Sequence, residues 1–166
     1  MNLDHIVASG HSSGFPAVSN AAVLDNRIKA LISFDASVPR IVRKKGLDQS
    51  ILLFRASNSS YTDLFFRGKD VNSHGTIYDI NFFRVYRGDF YDLVIDNTTH
   101  NSIYDEYLFA ENKKEKELSI RNHKIIMKWT VAFLEKGHQE KKESLFKNNT
   151  VQKYVTLRVI NALKQK

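Results

Sequence analysis

The 166-residue sequence has no cysteine, which rules out a disulfide framework and any thiolate metal site. It has no uninterrupted apolar stretch near the roughly 20 residues that a membrane-spanning helix needs. Met1-Asn2-Leu3-Asp4 runs straight into a strand pattern, so a signal peptide, with its basic segment ahead of an apolar one, is not expected. No pair of histidines has ligand spacing, and no carboxylate cluster resembles a Ca²⁺ or Mg²⁺ loop. A glycine-rich phosphate cradle is missing as well. The chain therefore reads as needing neither metal nor cofactor. Internal repeats and low-complexity tracts are absent.

What is present fits one globular domain. Hydrophobic residues make up 42% and aromatic residues 11%, ordinary for a chain long enough to bury a core. Net charge is +7, a balance that can mark a nucleic-acid binder. Much of the excess, however, falls in lysine runs interleaved with glutamate: Lys113-Lys114, Lys141-Lys142 and Lys164-Gln165-Lys166. Such runs read as solvated helix faces, and no nucleic-acid partner is expected.

The chain is organised around Gly10-His11-Ser12-Ser13-Gly14. An apolar run precedes it and a small-residue segment able to form a helix follows. In a strand–turn–helix setting Gly-x-Ser-x-Gly is a nucleophile elbow, which holds a serine hydroxyl exposed on a sharp turn. The expectation is that a Cβ at either glycine would collide with that turn. Taken alone, the pattern is equally a plain Gly/Ser turn, so its meaning depends on the partners available to Ser12.

Taken in order, His5–Ser9 reads as a buried strand and Ser13–Leu24 as a helix, with Pro16 in its first turn, where a missing N–H is harmless. Ile28–Phe34 is a second strand with Asp35 at its C-terminal end. Ala36–Gly46 reads as a loop and Ile51–Ala56 as a third strand. An irregular segment follows, and Ile77–Arg87 can form a short helix. Phe90–Ile95 is a fourth strand, with His100 just beyond it. Lys113–Lys136 has a helical apolar stripe of Leu118, Ile125, Trp129, Ala132 and Phe133. Tyr154–Leu163 reads as a last amphipathic helix, with Val155, Val159, Ile160 and Leu163 on its apolar side.

Strands alternating with helices imply a parallel sheet, in which chemistry gathers at the C-terminal strand ends. Ser12, Asp35 and His100 all fall on that rim. A serine hydroxyl needs a base to take its proton, and an imidazole can take that proton and return it. A carboxylate orients the imidazole. The Ser13 N–H is the expected oxyanion donor. Asp63, after the third strand, is the alternative acid, but it lies seven residues past Ala56 and lacks a Gly-x-x-Asp turn. His11 reads as an elbow neighbour and not as a base. His11, Phe15, Phe65 and Phe66 are the candidate pocket residues. The aromatic segment from Tyr61 to Tyr91 reads either as a cap over an acyl pocket or, the favoured alternative, as ordinary core.

The stretches Ile6–Gly14, Arg27–Ala36 and His100–Asp105 resemble the C-terminal half of α/β-hydrolases, the nearest branch being platelet-activating-factor acetylhydrolase and dienelactone-hydrolase-like esterases. The resemblance runs from about Leu3 to Gly137. It implies an α/β fold present as a partial α/β-hydrolase unit: about four parallel strands with flanking helices, the N-terminal strands missing. Residues 1–137 would form that unit and 138–166 a basic helical C-terminal extension. It also implies ester hydrolysis through an acyl-enzyme at Ser12, on small-molecule or lipid esters. Where the family has a second glycine after the elbow, this chain has Phe15, expected to narrow the site or to alter helix–strand packing. An elbow strand without its usual neighbour would be an open sheet edge, calling for a partner chain or a dimer to cover it. It would also leave the site short of one oxyanion donor.

Overall fold

The computed structural model describes residues 5–36, 38–57, 85–102, 106–135, 146 and 150–160. Asp63, Phe65, Phe66 and most of Ile77–Arg87 lie outside the described residues. A six-stranded sheet forms the framework, in spatial order β1-β2-β3-β4-β6-β5. Strands β1 (Ile6–His11), β2 (Ile28–Phe34), β3 (Ser50–Ala56) and β4 (Phe90–Ile95) run parallel. They are rich in Ile, Leu, Val and Phe and are buried on both faces in the middle of the sheet, as parallel strands usually are.

Alternation along β3 separates two cores. Ile51 and Leu53 join Phe15, Leu31, Val42 and Phe90 in one cluster, under helices α1 (Gly14–Leu24) and α2 (Arg40–Lys45). Leu52 and Phe54 join Tyr91, Leu93, Ile126, Trp129 and Phe133 in the other, under helix α3 (Lys113–Leu134). Ala22 lets α1 pack closely on the sheet. The helix ends at Asp25, which meets Arg27 Nη2 at 2.7 Å. The hydrogen bonds that Arg27 donates hold the Asp25 carboxyl down to about 2. Helix α3 starts at Asn112, whose Oδ1 accepts the Glu115 N–H at 3.0 Å, a side-chain N-cap. The lysines at its start, Lys113 and Lys114, are exposed. No helix among the described residues is long and apolar enough to cross a membrane.

Three expectations need correction. The segment Ala36–Gly46 contains a short helix, α2, opened by Pro39 in an extended conformation and closed by Gly46 at φ 73°. Tyr154–Leu163 is not an amphipathic helix: its described residues form strand β6 (Val155–Ile160), antiparallel to β4 and to β5 (Thr150–Gln152). Val155, Leu157 and Val159 recur with period two, and that alternation, with β-branched residues, is a strand signal. The third follows from the second: the tail is not a helical extension over these residues, since β5 and β6 continue the main sheet. Of the aromatic segment, the described Tyr86, Phe90 and Tyr91 are core residues.

Candidate active site

Every parallel strand ends at the same rim, and the backbone there is unusual. Ser12 (φ 50°) follows β1, Asp35 (φ 46°) follows β2, and Asn97 (φ 55°) lies just past β4. Non-glycine residues in the left-handed region are uncommon, and such strain is held in place only by surrounding bonds. The bonds are present. The Ser12 N–H donates to the Phe34 carbonyl at 3.1 Å, and the Asp35 N–H to the Phe54 carbonyl at 2.7 Å. Each residue is thus pinned to the next strand while the chain turns away. The Phe15 N–H then donates back to the Ser12 carbonyl at 3.3 Å, closing the turn into α1.

Only one elbow glycine is sterically required. A Cβ on Gly10 would lie 2.4 Å from the Phe15 backbone nitrogen, whereas one on Gly14 would meet nothing within 4 Å. The expectation that both glycines avoid a collision is therefore corrected for Gly14, the first residue of α1. Phe15 is 0% exposed and sits in the α1 core. It fills helix–sheet packing.

Asp35 and His100 meet directly. The His100 Nδ1–H donates to Asp35 Oδ2 at 2.7 Å. Asp35 is 2% exposed, and its other oxygen accepts the Ala56 N–H at 3.2 Å. Both carboxylate oxygens are therefore engaged, so the aspartate presents a fixed acceptor to the imidazole. With Nδ1 carrying the proton, the His100 Nε2 is left as the basic nitrogen. His11 also meets His100. Its Nε2–H donates to the His100 carbonyl at 2.9 Å, and the two rings are 4.5 Å apart, tilted by 39°. The elbow strand and the histidine loop are thus in contact at the residue next to Ser12.

Ser13 is exposed at the start of α1 and makes no side-chain cap. Its N–H finds no acceptor among the described residues. It joins the unpaired donors at the positive end of the helix, which favour negative charge.

The loop carrying His100 is tied down on several sides. Thr98 and Ser57 exchange hydrogen bonds, Thr98 N to Ser57 Oγ at 3.2 Å and Ser57 N to Thr98 Oγ1 at 3.1 Å. Ser102 Oγ accepts the Thr99 N–H at 2.8 Å. From α3, Arg121 Nη2 donates to the Asp96 carbonyl at 2.6 Å, and the buried Asn122 donates to the Asn97 carbonyl at 3.3 Å. These anchors come from three sequence regions, and no local motif marks them. Beneath the rim, Arg55 forms a bidentate ion pair with Asp92 across β3 and β4, both side chains only 1% exposed.

Behind Asp35 lies a cavity of about 10 Å³ bordered by Phe54, Thr98 and Ile126, room for no more than a water. A groove of about 540 Å³ runs beside the histidine loop, lined by Asn97, Thr99, Ser102, Phe109, Leu118 and Asn122. Phe109, 83% exposed at its wall, was not foreseen from the sequence, where it follows no apolar periodicity. Among the described residues, no group of three or more His, Asp or Glu side chains could hold a metal ion. No protein-family model and no curated protein matches the chain.

Proposed function

We propose that the chain is a serine hydrolase of carboxylic esters, with Ser12 as nucleophile, His100 as base and then acid, and Asp35 as the group that orients the imidazole. The observation carrying this reading is the 2.7 Å hydrogen bond from His100 Nδ1 to the buried Asp35, with the strained Ser12 on the neighbouring strand end. As the Ser12 oxygen attacks the ester carbonyl, its proton passes to His100 Nε2. Asp35 stabilises the imidazolium that results. The Ser13 N–H and the start of α1 favour the charge on the former carbonyl oxygen. Collapse expels the alcohol, which takes the proton from His100, and leaves an acyl group on Ser12. Water, deprotonated by His100, then releases the acid and restores the serine.

The substrate class, short-chain or lipid esters, rests on the resemblance to acetylhydrolase-like α/β-hydrolases. The groove past Thr99 and Ser102, beside the His100 loop, offers space for such a substrate. The reading is tested by reacting the purified chain with a fluorophosphonate probe. Stoichiometric labelling, absent in Ser12→Ala, is expected. A folded chain that takes no label at Ser12 would overturn it.

One observation favours a second reading, a hydrolase remnant silent until a partner strand or a second copy covers the sheet edge. Strand β1 is an outer strand of the sheet and leaves Val7 40% exposed. It also lacks the proline or charge that usually protects an edge. Loss of one oxyanion donor typically costs about 10²–10³ in turnover, so a site with Ser13 alone would be slow. Labelling that appears only on association would support this reading.

A further inference from the structure

We infer that His11 is a positioning residue for His100, holding the base in place through its backbone while Asp35 holds the ring. For its catalytic consequence this rests on the hydrolase reading above; the geometry stands apart from it. His11 closes β1 opposite Phe34, and residues paired across a sheet project from the same face. Phe34 packs toward the α3-side core, so His11 is directed to the side of the sheet where the His100 loop crosses. There its Nε2–H donates to the His100 carbonyl at 2.9 Å, with the rings 4.5 Å apart.

The arrangement divides the work of holding one residue. A carbonyl oxygen can only accept, so His11 carries its proton on Nε2 in this contact. Asp35 likewise fixes the proton of His100 on Nδ1. One bond sets the position of the His100 backbone, and the other sets the ring and its tautomer. The anchors on either side, Thr98 and Ser102, bind the loop to β3 and to itself. The bond from His11 ties this loop to the strand that carries the nucleophile. Residue 11 is thus a link that holds the distance from elbow to base, and a small displacement of a base costs far more rate than binding.

The test compares His11→Phe, which keeps a ring but no donor, with His11→Gln, whose amide nitrogen reaches about as far as Nε2. Two readouts are taken on the full chain: the downfield proton resonance of His100 Nδ1–H, and the rate of fluorophosphonate labelling at Ser12. In His11→Phe the resonance is expected to broaden through faster exchange, and labelling to slow by about five- to tenfold, the value of one ordinary hydrogen bond. His11→Gln recovers most of both. Should His11→Phe not fold, His11→Met serves as the donor-free variant. Equal loss in the donor-free and glutamine variants, or loss in neither, overturns the inference. A wild-type chain that takes no label, while the resonance still broadens without the donor and returns with glutamine, leaves the positioning intact and removes the hydrolase reading instead.

Discussion

Asp35 and His100 are 65 residues apart in the chain and 2.7 Å apart in space. The contact depends on two separate devices. Asp35 is set by a left-handed turn just after β2, and His100 by a loop bound to β3 and α3. If this pair is the working acid and base, Asp35→Asn should lower the labelling rate at Ser12 by about 10⁴, because an amide supports the wrong tautomer of the imidazole. Asp63→Asn should change it little. Comparison of the two rate constants on folded protein decides the matter, and a larger loss at Asp63 would move the acid to that residue.

The two elbow glycines should respond oppositely. Gly10→Ala forces a methyl to within 2.4 Å of the Phe15 backbone nitrogen, and overpacking against rigid backbone costs about 1–3 kcal/mol or more. Gly14→Ala meets open space at the first helical position, where alanine is the better helix former, and should gain up to about 1 kcal/mol. Urea unfolding of both variants is sufficient. Equal destabilisation would mean that the turn is tighter at Gly14 than its surroundings indicate.

The Arg55–Asp92 pair is buried below the rim, joining the strand that holds Asp35 through Ala56 to the strand that leads into the His100 loop. Removing one member of such a pair strands a charge in the interior. Asp92→Ala should therefore cost about 3–5 kcal/mol. The double variant Arg55→Met, Asp92→Leu should recover much of that, since apolar replacements of similar volume are often neutral. Failure of the double variant to recover would assign the pair a role in shaping the rim that packing cannot replace.

The rim was legible in the sequence because its residues sit at strand ends, and these strands are continuous apolar runs closed by turn residues. Gly10, Asp35 and His100 each follow such a run, and strand order places them on one edge. The contact of His11 with His100 was not legible, because it joins two side-chain positions 89 residues apart and neither lies in a motif specifying the other. The anchors Ser57, Arg121 and Asn122 were hidden for the same reason. Gly14 misled because it belongs to the motif without bearing its steric load. Phe15 read as a departure from a family pattern, and its actual surroundings, a fully buried place in the first turn of α1, follow from packing alone.

The C-terminal segment misled in a different way, and its strand provides the sharpest test of period. Val155, Val159, Ile160 and Leu163 lie on one side of a helical wheel, so the helix reading buries those four and leaves Leu157 off the apolar face. In β6 the alternation instead turns Val155 and Leu157 inward, with Leu157 1% exposed opposite Leu93 of β4. Thr156, between them, is only partly buried. Leu157→Ala should thus cost about 2–5 kcal/mol, as for other large-to-small changes in a core. Thr156→Ala should stay within about 0.5 kcal/mol of the parent, the range of most surface changes. Chemical denaturation of the two single variants distinguishes the periods directly. A silent Leu157→Ala would mean that this segment does not complete the sheet beside β4, and the α3-side core would then need another cover.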